Sequence, residues 1–92
     1  MNIGDIVLSL CGRDEGKYFI VVGTQDDYSM IGDGKNRRLE KPKRKNNKHL
    51  KLEDRIDEEI ATRLVEGGKV TNNEIRKALA QYTEAYGEEG GM

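Results

Sequence analysis

Between Lys35 and Lys51 the chain places nine lysines and arginines against a single acid, Glu40. Cations at this density suit the neutralisation of a phosphate backbone, with release of its condensed counterions. Arg37, Arg38 and Arg44 can grip phosphate oxygens through two parallel N–H bonds. Lys35, Lys41, Lys43, Lys45 and Lys48 act as point charges. If about five phosphates were neutralised, the log–log salt slope would be roughly −3.5 on single strands and −4.5 on duplex. Lysines also protect an edge strand from aggregation, but that role does not call for a block of this size. KPKRK has the composition of a nuclear-localisation segment as well.

Little else in the chain points to chemistry. Cys11 and His49 are the only residues of their kinds, so no Cys-His or Ser-His-Asp constellation and no metal set can be argued from them. No cofactor is expected, and the chain reads as non-enzymatic. Gly32-Asp33-Gly34-Lys35 lacks the spacing of a phosphate-binding P-loop and its following Ser or Thr. Cys11 is expected as a small apolar strand residue. His49 is expected to pack or donate a hydrogen bond at the edge of a small barrel, with stacking on a base as the alternative.

The basic block stands out because the flanking segments are acidic. Residues 1–34 carry two basic and six acidic side chains, a net −4, and residues 52–92 carry five and ten, a net −5. Residues 35–51 carry a net +8, so the whole chain of 92 residues comes to −1. A whole-chain charge near zero conceals this asymmetry, which is what informs about partners.

The elements that must position these groups are short. DIVLSLC (5–11), KYFIVVG (17–23) and YSMIGDG (28–34) read as strands, rich in β-branched residues and separated by Gly/Asp turns. In the basic segment Leu50 and Leu52 alternate across Lys51, as on a strand with one buried face. Pro42 places that segment at an edge or a bulge. After Leu52 the period changes. Asp54 can cap a helix with apolar positions Ile56, Ile60, Leu64 and Val65, ended by Gly67-Gly68. Thr71-x-x-Glu74 forms a capping box for a second helix, with Val70 stapled onto Ile75 and an apolar stripe of Ile75, Leu79, Tyr82 and Tyr86. The tail GEEGGM is expected to fray.

The segment GDIVLSLCGRDEGKYFIVVG resembles the KOW motif of small RNA-binding barrels, through Gly4, Asp5, Val7, Gly12, Asp14, Gly16, Lys17, Ile20 and Val22. The later KRKNNKHL is similar to the basic Asn-x-x-His-Leu segment of the archaeal and eukaryotic large-subunit KOW proteins numbered fourteen, six and twenty-seven. Asn46, His49 and Leu50 fall on it. The resemblance implies an SH3-like five-stranded antiparallel β-barrel over residues 1–52, which precedes the two-helix hairpin of 53–92. It also implies binding to RNA, typically ribosomal RNA, with Arg13, Gly16 and Lys17 of the first turn near the backbone.

The resulting expectation is a cytoplasmic, non-catalytic RNA-binding protein associated with the ribosome. Its contacts would be Arg13, Gly16, Lys17, Lys35, Arg37, Arg38, Lys41, Lys43, Arg44, Lys45, Asn46 and Lys48. Asn46 is the one candidate for base readout among groups that otherwise meet phosphate. Electrostatics alone do not separate RNA from DNA. The alternative is a protein-interaction module whose acidic hairpin binds a basic partner or screens the basic strand. Deleting residues 53–92 is expected to separate the two readings. No membrane partner is expected, since no run approaches the roughly 20 apolar residues of a span.

Overall fold

KYFIVVG folds into the central strand. In the computed structural model, which describes residues 1–86, β2 (Tyr18–Gln25) is flanked by β1 (Asp5–Ser9) and β3 (Tyr28–Gly32). The outer strands are β4 (Lys43–Asn46) and β5 (Leu50–Arg55), and the antiparallel order is β4-β3-β2-β1-β5. A short 3₁₀ turn, Asn47–His49, joins the two outer strands. Helices α1 (Glu58–Val65) and α2 (Asn72–Tyr86) follow. The tail 87–92, on which the expected fraying falls, lies outside the described residues.

Successive side chains of β2 point to opposite faces, and each face is buried against a different set of residues. Phe19 and Val21 pack with Val7, Ile31 and Leu50. Ile20 turns the other way, to Ile6 and to Ile56, Ala61, Ile75 and Leu79 of the helical segment, with Tyr18 and Val22 against the same cluster. The hairpin therefore packs on the sheet and covers one of its faces.

Three local expectations are corrected. The helix cap is Asp57, whose carboxylate accepts from Glu59 N at 2.9 Å. Asp54 instead belongs to β5, because pairing with β1 continues through Ile6↔Asp54 and Asp5↔Arg55. Strand pairing thus runs three residues past Leu52, and Ile56 enters the core from the connection rather than from a helix, its N–H donating to Gly4 O at 2.8 Å. Leu52 is 56% exposed whereas Leu50 is buried. A bulge between Ile6 and Val7 shifts the register beside Leu52, and a bulge bends its strand. Pairing is regular from Leu50 to Leu52 and shifts only beyond it, and β5 is an outer strand with no further strand beside it. Cys11 lies beyond the end of β1, in the turn, rather than within the strand.

The capping and ending signals hold elsewhere, but Val65, expected on the apolar face of α1, is 59% exposed at the helix's last turn. α1 ends ahead of Gly67, whose φ of 76° is a conformation that L side chains rarely adopt. Thr71 N donates to Glu74 Oε1 at 2.9 Å and Glu74 N to Thr71 Oγ1 at 3.2 Å, closing the capping box. Arg63 of α1 clamps the same carboxylate, Nη2 to Oε2 at 2.7 Å, and so ties the two helices together. The paired guanidinium and the Thr71 amide pull the Glu74 carboxyl down to about 2. Ile75 and Leu79 are buried, Tyr82 is half-buried and Tyr86, although on the predicted stripe, is exposed. Among the described residues no helix is long and apolar enough to cross a membrane.

Candidate nucleic-acid interface

The turn between β1 and β2 is built around a buried carboxylate. Asp14 Oδ1 accepts from Ser9 Oγ at 2.7 Å and from Lys45 Nζ at 2.7 Å, and Oδ2 accepts from Lys43 Nζ at 2.9 Å. Burial pushes the Asp14 carboxyl up, but the bonds from Lys45, Lys43 and Ser9 outweigh it and hold the group well below the ordinary carboxylate range. Lys45 also donates to Cys11 O at 2.7 Å. Two cations of β4 are thereby tied across to the turn that precedes β2.

This arrangement divides the basic segment. A strand's pleat sends alternate side chains to opposite faces, so Lys43 and Lys45 turn toward Asp14 while Arg44 and Asn46 turn away. The segment therefore does not present one cationic face. Lys45 is only 8% exposed and has an internal partner, so it is an internal cation rather than a surface contact. Arg44 stands over the Tyr28 ring, its Cζ 3.9 Å from the centroid, a placement in which the ring face attracts the cation. Asn46 caps the 3₁₀ turn through Lys48 N, which donates to its Oδ1 at 3.0 Å. Its carboxamide oxygen is thus already bonded. Arg38 and Lys41 are exposed in the loop before β4, with Arg38 4.0 Å from Glu40. His49 is half-buried, and its carbonyl accepts from Leu10 N at 2.9 Å.

A different subset converges. Two concavities lie side by side and share Lys17 and Asp33 in their walls. The smaller, about 370 Å³, is rimmed by Arg13, Lys17, Arg37 and Lys43. The larger, about 650 Å³, has Lys17, Lys35, Arg76 and Lys77 around it, with Gly16 in its wall. The loop that carries Lys35 and Arg37 is held by Asp33, whose Oδ1 accepts from both of their backbone N–H groups at 2.9 and 2.8 Å. It is docked on α2 as well. Leu39 N donates to Asn72 Oδ1 at 2.7 Å, and Arg76 Nη1 donates to Gly34 O at 3.0 Å. Gly34, at φ 75°, lies so close to α2 that a Cβ there would strike the Asn72 carbonyl.

Of the twelve expected contacts, the two concavities gather Arg13, Gly16, Lys17, Lys35, Arg37 and Lys43. Arg38, Lys41, Arg44, Lys45, Asn46 and Lys48 are outside both linings. Arg76 and Lys77 join the set without having been anticipated, because they sit in a block of net negative charge. The signal was present in RK, two adjacent cations on the polar side of a helix whose apolar stripe was readable. Among the described residues no acid of the hairpin forms an ion pair with a cation of this surface. Arg63–Glu74 is internal to the hairpin and Lys51–Glu53 lies within β5. No family model matches the chain, and no curated protein matches it either.

Proposed function

We propose that this protein is a non-catalytic RNA-binding protein of the KOW type, its sheet an SH3-like barrel, which contacts ribosomal RNA or a ribosomal particle in the cytoplasm. The observation that carries the reading is the meeting of cations from three separate segments around adjoining concavities: Arg13 and Lys17, then Lys35 and Arg37, then Arg76 and Lys77. Positive charge gathered in a concave surface attracts phosphate more strongly than the same charge spread over a convex one. The five antiparallel strands in the order β4-β3-β2-β1-β5 fit the barrel that the KOW resemblance implies, and the Gly-x-Asp-x-Gly-Lys turn borders both concavities. Lysine and arginine dominate the set, so recognition is by backbone and shape more than by base edges.

The test is fluorescence anisotropy with a labelled ribosomal RNA fragment at about 50 and 200 mM salt, a range over which phosphate-dominated binding weakens steeply. Wild-type protein should bind and lose affinity as salt rises. The Lys17→Glu/Lys35→Glu/Arg37→Glu variant should lose binding at both concentrations, and unchanged affinity in that variant would sink the reading. Sedimentation of lysate through sucrose gradients at the same two salt concentrations then asks whether the bound species is a ribosomal particle.

A second reading draws on the exposed acids Asp57, Glu58 and Glu59 at the start of α1, which could receive a basic protein partner. Deleting residues 53–92 does not separate the readings, because Ile56, Ala61, Ile75 and Leu79 share a core with Ile6 and Ile20. Glu58→Gln/Glu59→Gln leaves that core untouched. It should weaken a basic partner while RNA affinity holds or rises.

A further inference from the structure

Cationic rims alone would suit any stretch of phosphate backbone, but the larger concavity also has an apolar floor. Tyr18 from β2 and Leu79 and Ala80 from α2 line it together with Lys17, Lys35 and Arg76. It is an open depression of about 650 Å³, wide enough to receive a nucleotide from the solvent side. We infer that this cleft holds one unstacked nucleotide of a bound RNA strand, the base against Tyr18, Leu79 and Ala80 and its phosphate against Lys17, Lys35 and Arg76.

The occupant is argued from the match of chemistry to wall. A bare polyanion would leave the apolar floor unused and would bring charge against the carboxylate of Asp33, which faces the same space. A purely apolar group would leave the cations idle. A nucleotide carries both parts, an aromatic plane and one phosphate. The site is also organised in advance. The Tyr18 ring meets Tyr82 edge-on, with centroids 5.5 Å apart and planes at 67°. Arg76 is held at the mouth by Nη1 to Gly34 O and Nη2 to Asn73 Oδ1, both 3.0 Å. A guanidinium has five N–H donors, so donors remain for phosphate oxygens. No carboxylate of the described residues forms an ion pair with Lys17, Lys35, Arg76 or Lys77. Asp33 Oδ1 is occupied by the Lys35 and Arg37 amides, which leaves Oδ2 to accept from a base amino group.

Resting on the RNA-binding reading above, this inference predicts a preference for single-stranded over duplex RNA, since a paired base cannot leave the stack at no cost. Two measurements on the full chain test it. In an amide NMR titration, adenosine 5′-monophosphate should perturb Tyr18, Leu79 and Ala80 along with Lys17, Lys35 and Arg76. Inorganic phosphate should perturb the basic residues alone. In parallel, Ala80→Phe fills the floor from an exposed helical position without changing charge. It should reduce the ratio of single-strand to duplex affinity at least tenfold. Identical perturbation maps for the nucleotide and for phosphate would overturn the inference, as would an unchanged affinity ratio. In both cases the basic-surface reading would stand. Wild-type protein that binds neither RNA would remove both.

Discussion

Lys45 on β4 and Asp14 in the β1–β2 turn, 31 residues apart in sequence, meet at 2.7 Å with both side chains almost completely buried. Each belongs to a segment whose local composition reads differently, a hairpin turn in one case and a phosphate-binding run in the other. Their pairing links the turn to an outer strand that shares no backbone ladder with β1 or β2. It withdraws one cation from the surface and, through Lys43, partly engages a second. In return Arg13 and Lys17, on either side of Asp14, are held at the rim of the two concavities.

Asp14→Asn, in the β1–β2 turn, should be strongly destabilising. It leaves Lys45 buried without its counter-charge, and breaking a buried pair from one side costs about 3 kcal/mol or more. Urea unfolding of the variant at neutral pH measures this. A loss under 1 kcal/mol would mean that Lys45 finds water or another acceptor.

Acid should act through the same residue. The Asp14 carboxyl is held far below its unfolded value of about 3.9, so the unfolded chain binds the proton first as pH falls. The contribution of Asp14 is then fully present above about pH 5 and declines steadily through and below pH 4. Glu74, drawn down to about 2, acts in the same direction over the same window. Thermal midpoints should therefore be flat from pH 7 to 5 and fall below 4, with a shallower fall in Asp14→Asn.

The seam between the 33–42 loop and α2 depends on Gly34. Its positive φ and the Asn72 carbonyl beside it exclude a Cβ, so Gly34→Ala should destabilise by about 2 kcal/mol or more, through strain and displacement of the loop. Thr71→Ala, which removes only the cap of α2, should cost about 1 kcal/mol. Chemical denaturation of the two variants side by side gives the order, and the reverse order would contradict the close approach at Gly34.

Tyr82 donates to Glu53 Oε1 at 3.0 Å. Burial and the neighbouring carboxylate push its phenol up to about 12. Ultraviolet titration should show a tyrosine component that ionises near pH 12. The late component should vanish in Tyr82→Phe.

On the proposed RNA-binding reading, Arg76→Gln and Lys77→Gln should each flatten the log–log salt dependence of single-stranded RNA binding by about 0.7, the amount for one phosphate contact. Lys41→Gln, outside both concavities, should change it less. Equal slopes in all three variants would remove α2 from the interface.

Much of the framework follows from local pattern. The β-branched run of residues 20–22, the Gly/Asp turns and the capping box at Thr71-x-x-Glu74 specify their elements because the relevant interactions reach only a few residues along the chain. The charge block of 35–51 is equally plain from composition. Its presentation is not, because strand register decides which way each side chain faces. The pleat of β4 separates Lys45 from Arg44, and the β1–β5 ladder takes Asp54 from the helix cap it could have formed. Only tertiary packing brings Arg76 and Lys77 from an acidic block to Lys17 and Lys35. Contacts across tens of residues depend on how the sheet and hairpin stack, and no periodicity within a single segment encodes that.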